Sequence, residues 1–207
     1  MRKLACWFSV AAVIAASSAA FAEKRSIAEG SIDFDGDGKP EVVKVVFVGG
    51  RAVNEGCAEG EILVGKFAIQ VQRGTGKAVR TDLSSLVGKA ELRFLPGPQH
   101  ISFFDLTQDG RLSFGHAGAS YGNNSFYRFF ALSPEGKVVL PRFAPPLDGL
   151  YVFGNNTSPQ PEVLRPTPDG FECDSYNNAD GSAYTDVFRW VPEHKIFMHF
   201  TSKEKSP

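Results

Sequence analysis

The chain has 207 residues, and its 22 Lys and Arg against 23 Asp and Glu give a formal net charge of −1. This near-balance supplies neither the basic face that nucleic acid needs nor a polybasic membrane patch. Such a length is enough for one domain with a sizeable core.

Met1-Arg2-Lys3 is a basic start, followed by the largely apolar Leu4 to Ala20 and by Ala20-Phe21-Ala22, the small-x-small pattern that a signal peptidase cuts. Residues 1–22 are therefore expected to be a cleaved secretory signal, too short and wrongly flanked for a membrane anchor. The mature chain, residues 23–207, is expected to be one exported, periplasmic domain. Two of the three cysteines, Cys57 and Cys173, remain in it. In an oxidising compartment that pair reads as a single disulfide.

The next feature is "SIDFDGDGKPEVVKVVF", from Ser31 to Phe47. Counting from Asp33, oxygen donors stand at positions 1, 3, 5 and 9 (Asp33, Asp35, Asp37 and Glu41), with the Lys39 carbonyl at position 7. Gly38 at position 6 permits the sharp turn that wraps such a loop round an ion. A calcium ion takes six to eight oxygens at about 2.3–2.6 Å and would cancel the mutual repulsion of the three aspartates. Magnesium fits less well, because it prefers fewer protein ligands and keeps its waters. Position 12 is Lys44 rather than the glutamate of an EF-hand, and a strand follows at once.

After the loop, the sequence predicts short strands divided by Gly and Pro: Val42 to Val48, Phe67 to Gln72, Ser125 to Leu132 and Val187 to Val191. One helical turn is expected near Thr81 to Leu86. A hairpin design recurs in "FAIQVQRGTGKAVR", "FYRFFALSPEGKVVL" and "DVFRWVPEHKIFMHF", each carrying a lysine at or after the turn. A second acidic loop, "FFDLTQDGRLSF", places Asp105, Thr107, Asp109 and Ser113 in the same pattern with two carboxylates, 72 residues (105 − 33) after the first. The expectation is an all-β fold of small repeated hairpin sheets, variant β-propeller-like, with a β-sandwich as the alternative.

"GHAGASYGNNSFY", Gly115 to Tyr127, is rich in small and hydrogen-bonding residues, and His116, Ser120, Tyr121, Asn123 and Asn124 are its candidates for partner contact. "CDSYNNADGSAYTD", Cys173 to Asp186, is a companion stretch that adds Tyr184. Packed repeats would bring the two to one face. The four histidines, His100, His116, His194 and His199, form no H-E-x-x-H or spaced zinc set. With no phosphate-cradling loop either, the expectation is a binding protein rather than an enzyme.

The first acidic loop resembles the calcium loops of integrin-type FG-GAP repeats, in which the loop joins two strands and a position-9 carboxylate completes the shell. Phe103 to Leu140 resembles a family of exported bacterial β-propeller-like proteins that includes calcium-binding immunity proteins against peptidoglycan-cleaving effectors. It is also similar to the periplasmic lysozyme inhibitors, whose loop carries S-G-x-x-Y; here Ala117-Gly118-Ala119-Ser120-Tyr121 has alanine in the serine place. The resemblance implies a periplasmic immunity or inhibitor protein with structural Ca2+. Tyr121 and its neighbours would plug the cleft of a cell-wall hydrolase or toxin effector, backed by Asp105 and Asp109. A calcium-stabilised glycan-binding or adhesion module without an enzyme partner is the rival expectation.

Overall fold

The aromatic and β-branched runs form three sheets, each built round an antiparallel meander, with one short parallel pairing in the first and one in the third. The structure, a computed structural model, describes residues 25–54, 60–89, 91–97, 99–154 and 158–204, and of 119–121 and 201–204 it describes the backbone alone. The expected leader, 1–22, lies outside the described residues.

In chain order the elements are β1 (Arg25–Ile32), β2 (Glu41–Asn54), β3 (Glu61–Gln72), β4 (Val79–Asp82), α1 (Leu83–Val87), β5 (Leu92–Phe94), β6 (Gln99–His100) and β7 (Phe103–Phe104). Then come β8 (Ser113–Tyr121), β9 (Asn124–Leu132), β10 (Val138–Val139), β11 (Phe143–Ala144), β12 (Leu150–Phe153), β13 (Leu164–Thr167), β14 (Gly170–Asn177), β15 (Ser182–Val191) and β16 (Ile196–Glu204). The first sheet runs β4-β3-β2-β1-β6 with β5 also on β3, the second β10-β9-β8-β7 with β12 also on β9, and the third β11-β16-β15-β14-β13. The fold is thus all-β, in small sheets, as the hairpin repeat implies.

The single helical turn falls at Leu83–Val87, where Asp82 caps the Ser84 and Ser85 amides and Gly88 ends the turn in the left-handed region. The three lysine-bearing hairpins are β3–β4, β9–β10 and β15–β16, one to each sheet. The 72-residue offset is equally visible, since β2 starts at Glu41 and β8 at Ser113, each just past its acidic loop.

Side chains alternate in direction along a strand, and in β3 and β9 both directions are covered. Leu63, Phe67, Ile69 and Val71 of β3 join Phe114, Phe130 and Leu132 in one core that links the first two sheets. Ile62 and Val64 of β3 join Tyr127, Phe129, Phe171, Phe188 and Phe197 in a second core that all three sheets share. In that core Phe171 stacks on Phe188 at 4.9 Å and meets Phe197 edge-on at 5.1 Å. Each such buried ring contributes about 1.5–3 kcal/mol over its exposed state.

One expectation is corrected here. Cys173 is a buried free thiol on β14, packed in the second core, and the expected bridge to Cys57 is not formed. Cys57 itself lies outside the described residues. Among the described residues, no helix is long and apolar enough to cross a membrane.

Candidate functional site

The loop between β1 and β2 is organised by its own aspartates. Asp33 accepts the Gly36 amide at 2.7 Å on Oδ1 and the Gly38 amide at 2.8 Å on Oδ2. Asp35 accepts the Asp37 amide at 3.2 Å, and Asp37 accepts the Lys39 amide at 2.8 Å. Gly38, with φ +83°, takes the left-handed turn that the spacing demands. As a result one carboxylate oxygen from each of Asp33, Asp35 and Asp37 lies within 4.8 Å of the others, a group that could hold a metal ion. Arg73 approaches Asp35 at 3.6 Å from the neighbouring hairpin. Glu41 stands apart: it is 3% exposed at the start of β2 and accepts the Phe34 amide at 3.1 Å. Its carboxylate pins the loop to the strand from beneath.

The second acidic loop repeats the turn. Asp105 accepts the Gly110 amide at 3.0 Å and Asp109 the Arg111 amide at 3.0 Å, as Asp33 and Asp37 do one repeat earlier. Thr107 donates to Asp109. Burial acts to raise the Asp109 pKa, but the Thr107 hydroxyl and Arg111 backbone outweigh it and hold the carboxyl below its usual range. Ser113 is 2% exposed inside β8, so the position that matches Glu41 is covered by the fold. The other Asp105 oxygen, Oδ1, is buried without a hydrogen-bond partner.

At the far end of the second sheet, the β8–β9 hairpin turns at Gly122-Asn123. Gly122 has φ +61°, the positive value a type II′ turn needs at its first central position. The β14–β15 hairpin turns over Asn177 to Gly181, closed by the Gly181 amide on the Asn177 carbonyl at 2.9 Å. These two tips lie against each other. Asn124 accepts the Tyr176 amide at 2.9 Å and donates to the Tyr176 carbonyl at 2.6 Å, so its side chain extends the β14 edge like a short strand. A Cβ on Gly122 would stand 2.9 Å from the end of the Asn178 side chain, which would have to move aside. The Gly154 amide, just past β12, bonds the Asn123 carbonyl at 2.8 Å.

Behind the clamp is a cleft of about 560 Å³ between the second and third sheets, with Phe126, Tyr151, Tyr176, Tyr184 and Asp186 among its walls. That volume lies within the usual range for small-molecule sites, about 300–1,000 Å³. Asp186 takes the Ser175 hydroxyl at 2.9 Å and pairs with His199 Nε2 at 3.0 Å. The serine proton is thus directed at a carboxylate rather than at an imidazole, an arrangement that braces neighbouring strands.

The structure sorts the expected partner residues. His116 is corrected from surface to core: it is 1% exposed, 5.2 Å from the Phe94 ring, and cannot reach a partner. Burial pushes its pKa down to about 4, opposed by a hydrogen bond with the Leu95 backbone. Asn124, 5% exposed, is likewise occupied within the fold. Asn123 is exposed at the turn, and Tyr184 is half-buried with its hydroxyl 3.4 Å from Asp180. The side chains of Ser120 and Tyr121 lie outside the described residues, although their backbones pair with Ser125 and Asn124.

Sequence reasoning missed the Asp186–His199 pair. A bulge between Val187 and Phe188 shifts the β15–β16 register there, and no turn residue announces it. It also missed Arg165, whose two terminal nitrogens each meet Asp174 at 2.8 Å, while Thr185 donates to the same, 6% exposed, carboxylate. The alternation of β13 and β14 carries no mark of that fork. No family model, curated protein or solved structure matches the chain.

Proposed function

We propose that this chain is an exported periplasmic protein that binds and blocks a peptidoglycan-cleaving hydrolase, a toxin effector or lysozyme-like enzyme, with calcium in its first acidic loop. The observation that carries the reading is the Asn124–Tyr176 clamp. It ties the Tyr121-Gly122-Asn123 turn to the third sheet before any partner arrives. A turn held in place in advance loses little entropy on docking, and this favours tight occlusion of an enzyme cleft. Tyr121 and Asn123 would be the inserting residues, and Asn124 their positioning residue.

The donor set of the first loop fits a hard cation, being oxygen throughout. Asp33, Asp35 and Asp37 would hold calcium together with the Lys39 carbonyl, while Glu41 keeps the loop seated through Phe34. The ion's role in this reading is to neutralise three like charges and stiffen the β1–β2 connection. The reading contains no chemical step: the protein occludes a site and turns nothing over.

A second reading has its own observation, the cleft beside the clamp, lined by Phe126, Tyr151, Tyr176 and Tyr184, residue types that stack on sugars. On that reading the chain is a calcium-stabilised glycan-binding module. One experiment separates the two. Periplasmic extract is passed over the immobilised protein with calcium or with chelator, and bound material is identified by mass spectrometry. Recovery of a muramidase or amidase whose activity the protein suppresses supports the inhibitor. Retention of the protein on peptidoglycan or chitin, with no enzyme captured, replaces it by the glycan module.

A further inference from the structure

A second cleft, of about 310 Å³, opens between the second and third sheets near the second acidic loop, away from the clamp. Three cationic side chains line it, Arg111, Arg142 and Lys195, and no carboxylate does. Arg111 has Asp109 only at 3.9 Å. The floor is apolar and aromatic, with Leu140, Trp190 and Phe197. Arg142 enters from a segment anchored by its own carbonyl, which accepts the Phe197 amide at 2.7 Å.

The backbone adds an independent sign. Among the described residues, only two non-glycines have positive φ, Gln108 at +56° and Lys195 at +51°. Lys195 lines this cleft, whereas Gln108 holds the place in the second acidic loop that Gly36, at φ +75°, holds in the first. In the β9–β10 hairpin the positive φ of the turn falls on a glycine, Gly136 at +76°, one place before the lysine Lys137, where such a backbone costs nothing. Retaining lysine in the left-handed region keeps a cation at the mouth at the expense of local strain, a pattern that gathers at ligand clamps.

The geometry points to this cleft as a binding site for a small amphiphilic anion: a carboxylate or phosphate head on a compact apolar body. The guanidinium forks of Arg111 and Arg142 match either head in two-point hydrogen bonding, and Lys195 adds a mobile charge. Trp190 and Phe197 would cover the body. The site stands whether or not the protein inhibits a hydrolase.

The test uses the full chain with Trp7→Phe, which leaves Trp190 as the one tryptophan of the two in the sequence. Its fluorescence is followed while phenylacetate, phenyl phosphate, inorganic phosphate or phenylacetamide is added. The expected result is a saturable change with the first two, with affinity falling as salt rises, and none with the amide. Whichever of phenylacetate and phenyl phosphate binds more tightly identifies the head. Lys195→Gly, which relieves the left-handed strain, is expected to raise Tm while weakening anion binding roughly tenfold. Arg142→Ala is expected to weaken it similarly with Tm unchanged. Equal responses to phenylacetate and phenylacetamide, no saturation with any probe, or full affinity in a folded Lys195→Gly chain would overturn the proposal.

Discussion

The side-chain amide of Asn124 satisfies both backbone groups of Tyr176, accepting its N–H at 2.9 Å and donating to its carbonyl at 2.6 Å. Two hairpins from different sheets are joined by this one residue, 52 positions away in sequence. The bond holds in place the exposed turn that precedes it.

Asn124→Ala is expected to destabilise the fold by about 2 kcal/mol, since two strong bonds to a partly buried backbone are lost together. Urea denaturation measures that cost. If the clamp positions the proposed plug, the same variant also weakens hydrolase binding, with a faster off-rate at an unchanged on-rate. Asn123→Ala, at an exposed position, is expected to leave the denaturation midpoint where it was.

Calcium is expected to raise Tm, with chelator reversing the rise. At a free concentration a hundredfold above Kd, mass action gives about 2.7 kcal/mol. Asp35→Ala should abolish the calcium response and leave the chelated protein close to wild type, because the change also removes one of three mutually repelling carboxylates. Equal melting of the wild-type protein with and without calcium would remove the ion from the account.

His116 predicts a specific acid sensitivity. Its folded pKa is depressed, to about 4 from an ordinary 6.5, chiefly by burial. Between those values the unfolded chain binds the proton and the folded one does not, so this contribution to stability rises with pH. It is fully present above about pH 6.5 and is lost as pH falls toward 4, by roughly 3 kcal/mol in all. His116→Phe keeps an aromatic ring beside Phe94 without the titration. Its stability, measured by denaturant melts at several pH values, is expected to fall less steeply than that of wild type across this window.

Cys173 should be chemically silent in the folded protein. Burial, then the carboxylates of Asp186 and Asp174, push its thiol pKa up, away from the reactive thiolate. Alkylation mapped by mass spectrometry is expected to spare Cys173 under native conditions and to modify it in denaturant without prior reduction. Modification that requires a reductant would restore the disulfide.

Much of the scaffold was legible because it is local. Pro, Gly and the turn lysines marked the three hairpins, and the 72-residue offset between acidic loops is the offset between the starts of β2 and β8. Asp33, Asp35 and Asp37 were readable as one group because alternate residues on a loop with glycine turns converge whatever the rest of the chain does. Glu41 shows the limit of that logic: position 9 of the loop is also position 1 of a strand, and the strand turns its carboxylate inward to Phe34.

What only the tertiary structure decided is which faces are covered. His116 reads in sequence as part of a polar, glycine-rich loop, yet it lies on a strand face roofed by Phe94 from another sheet. Asn124 reads as a contact residue and is instead a bridge to Tyr176. The Asp186–His199 pair depends on a bulge, and both clefts depend on the meeting of the second and third sheets. Turn dihedrals and side-chain alternation are written residue by residue, so the sequence by itself determined the strands, the hairpins and the acidic loops. Burial and the approach of distant side chains arise from how sheets dock, an energy summed over many weak contacts that no short stretch of sequence carries.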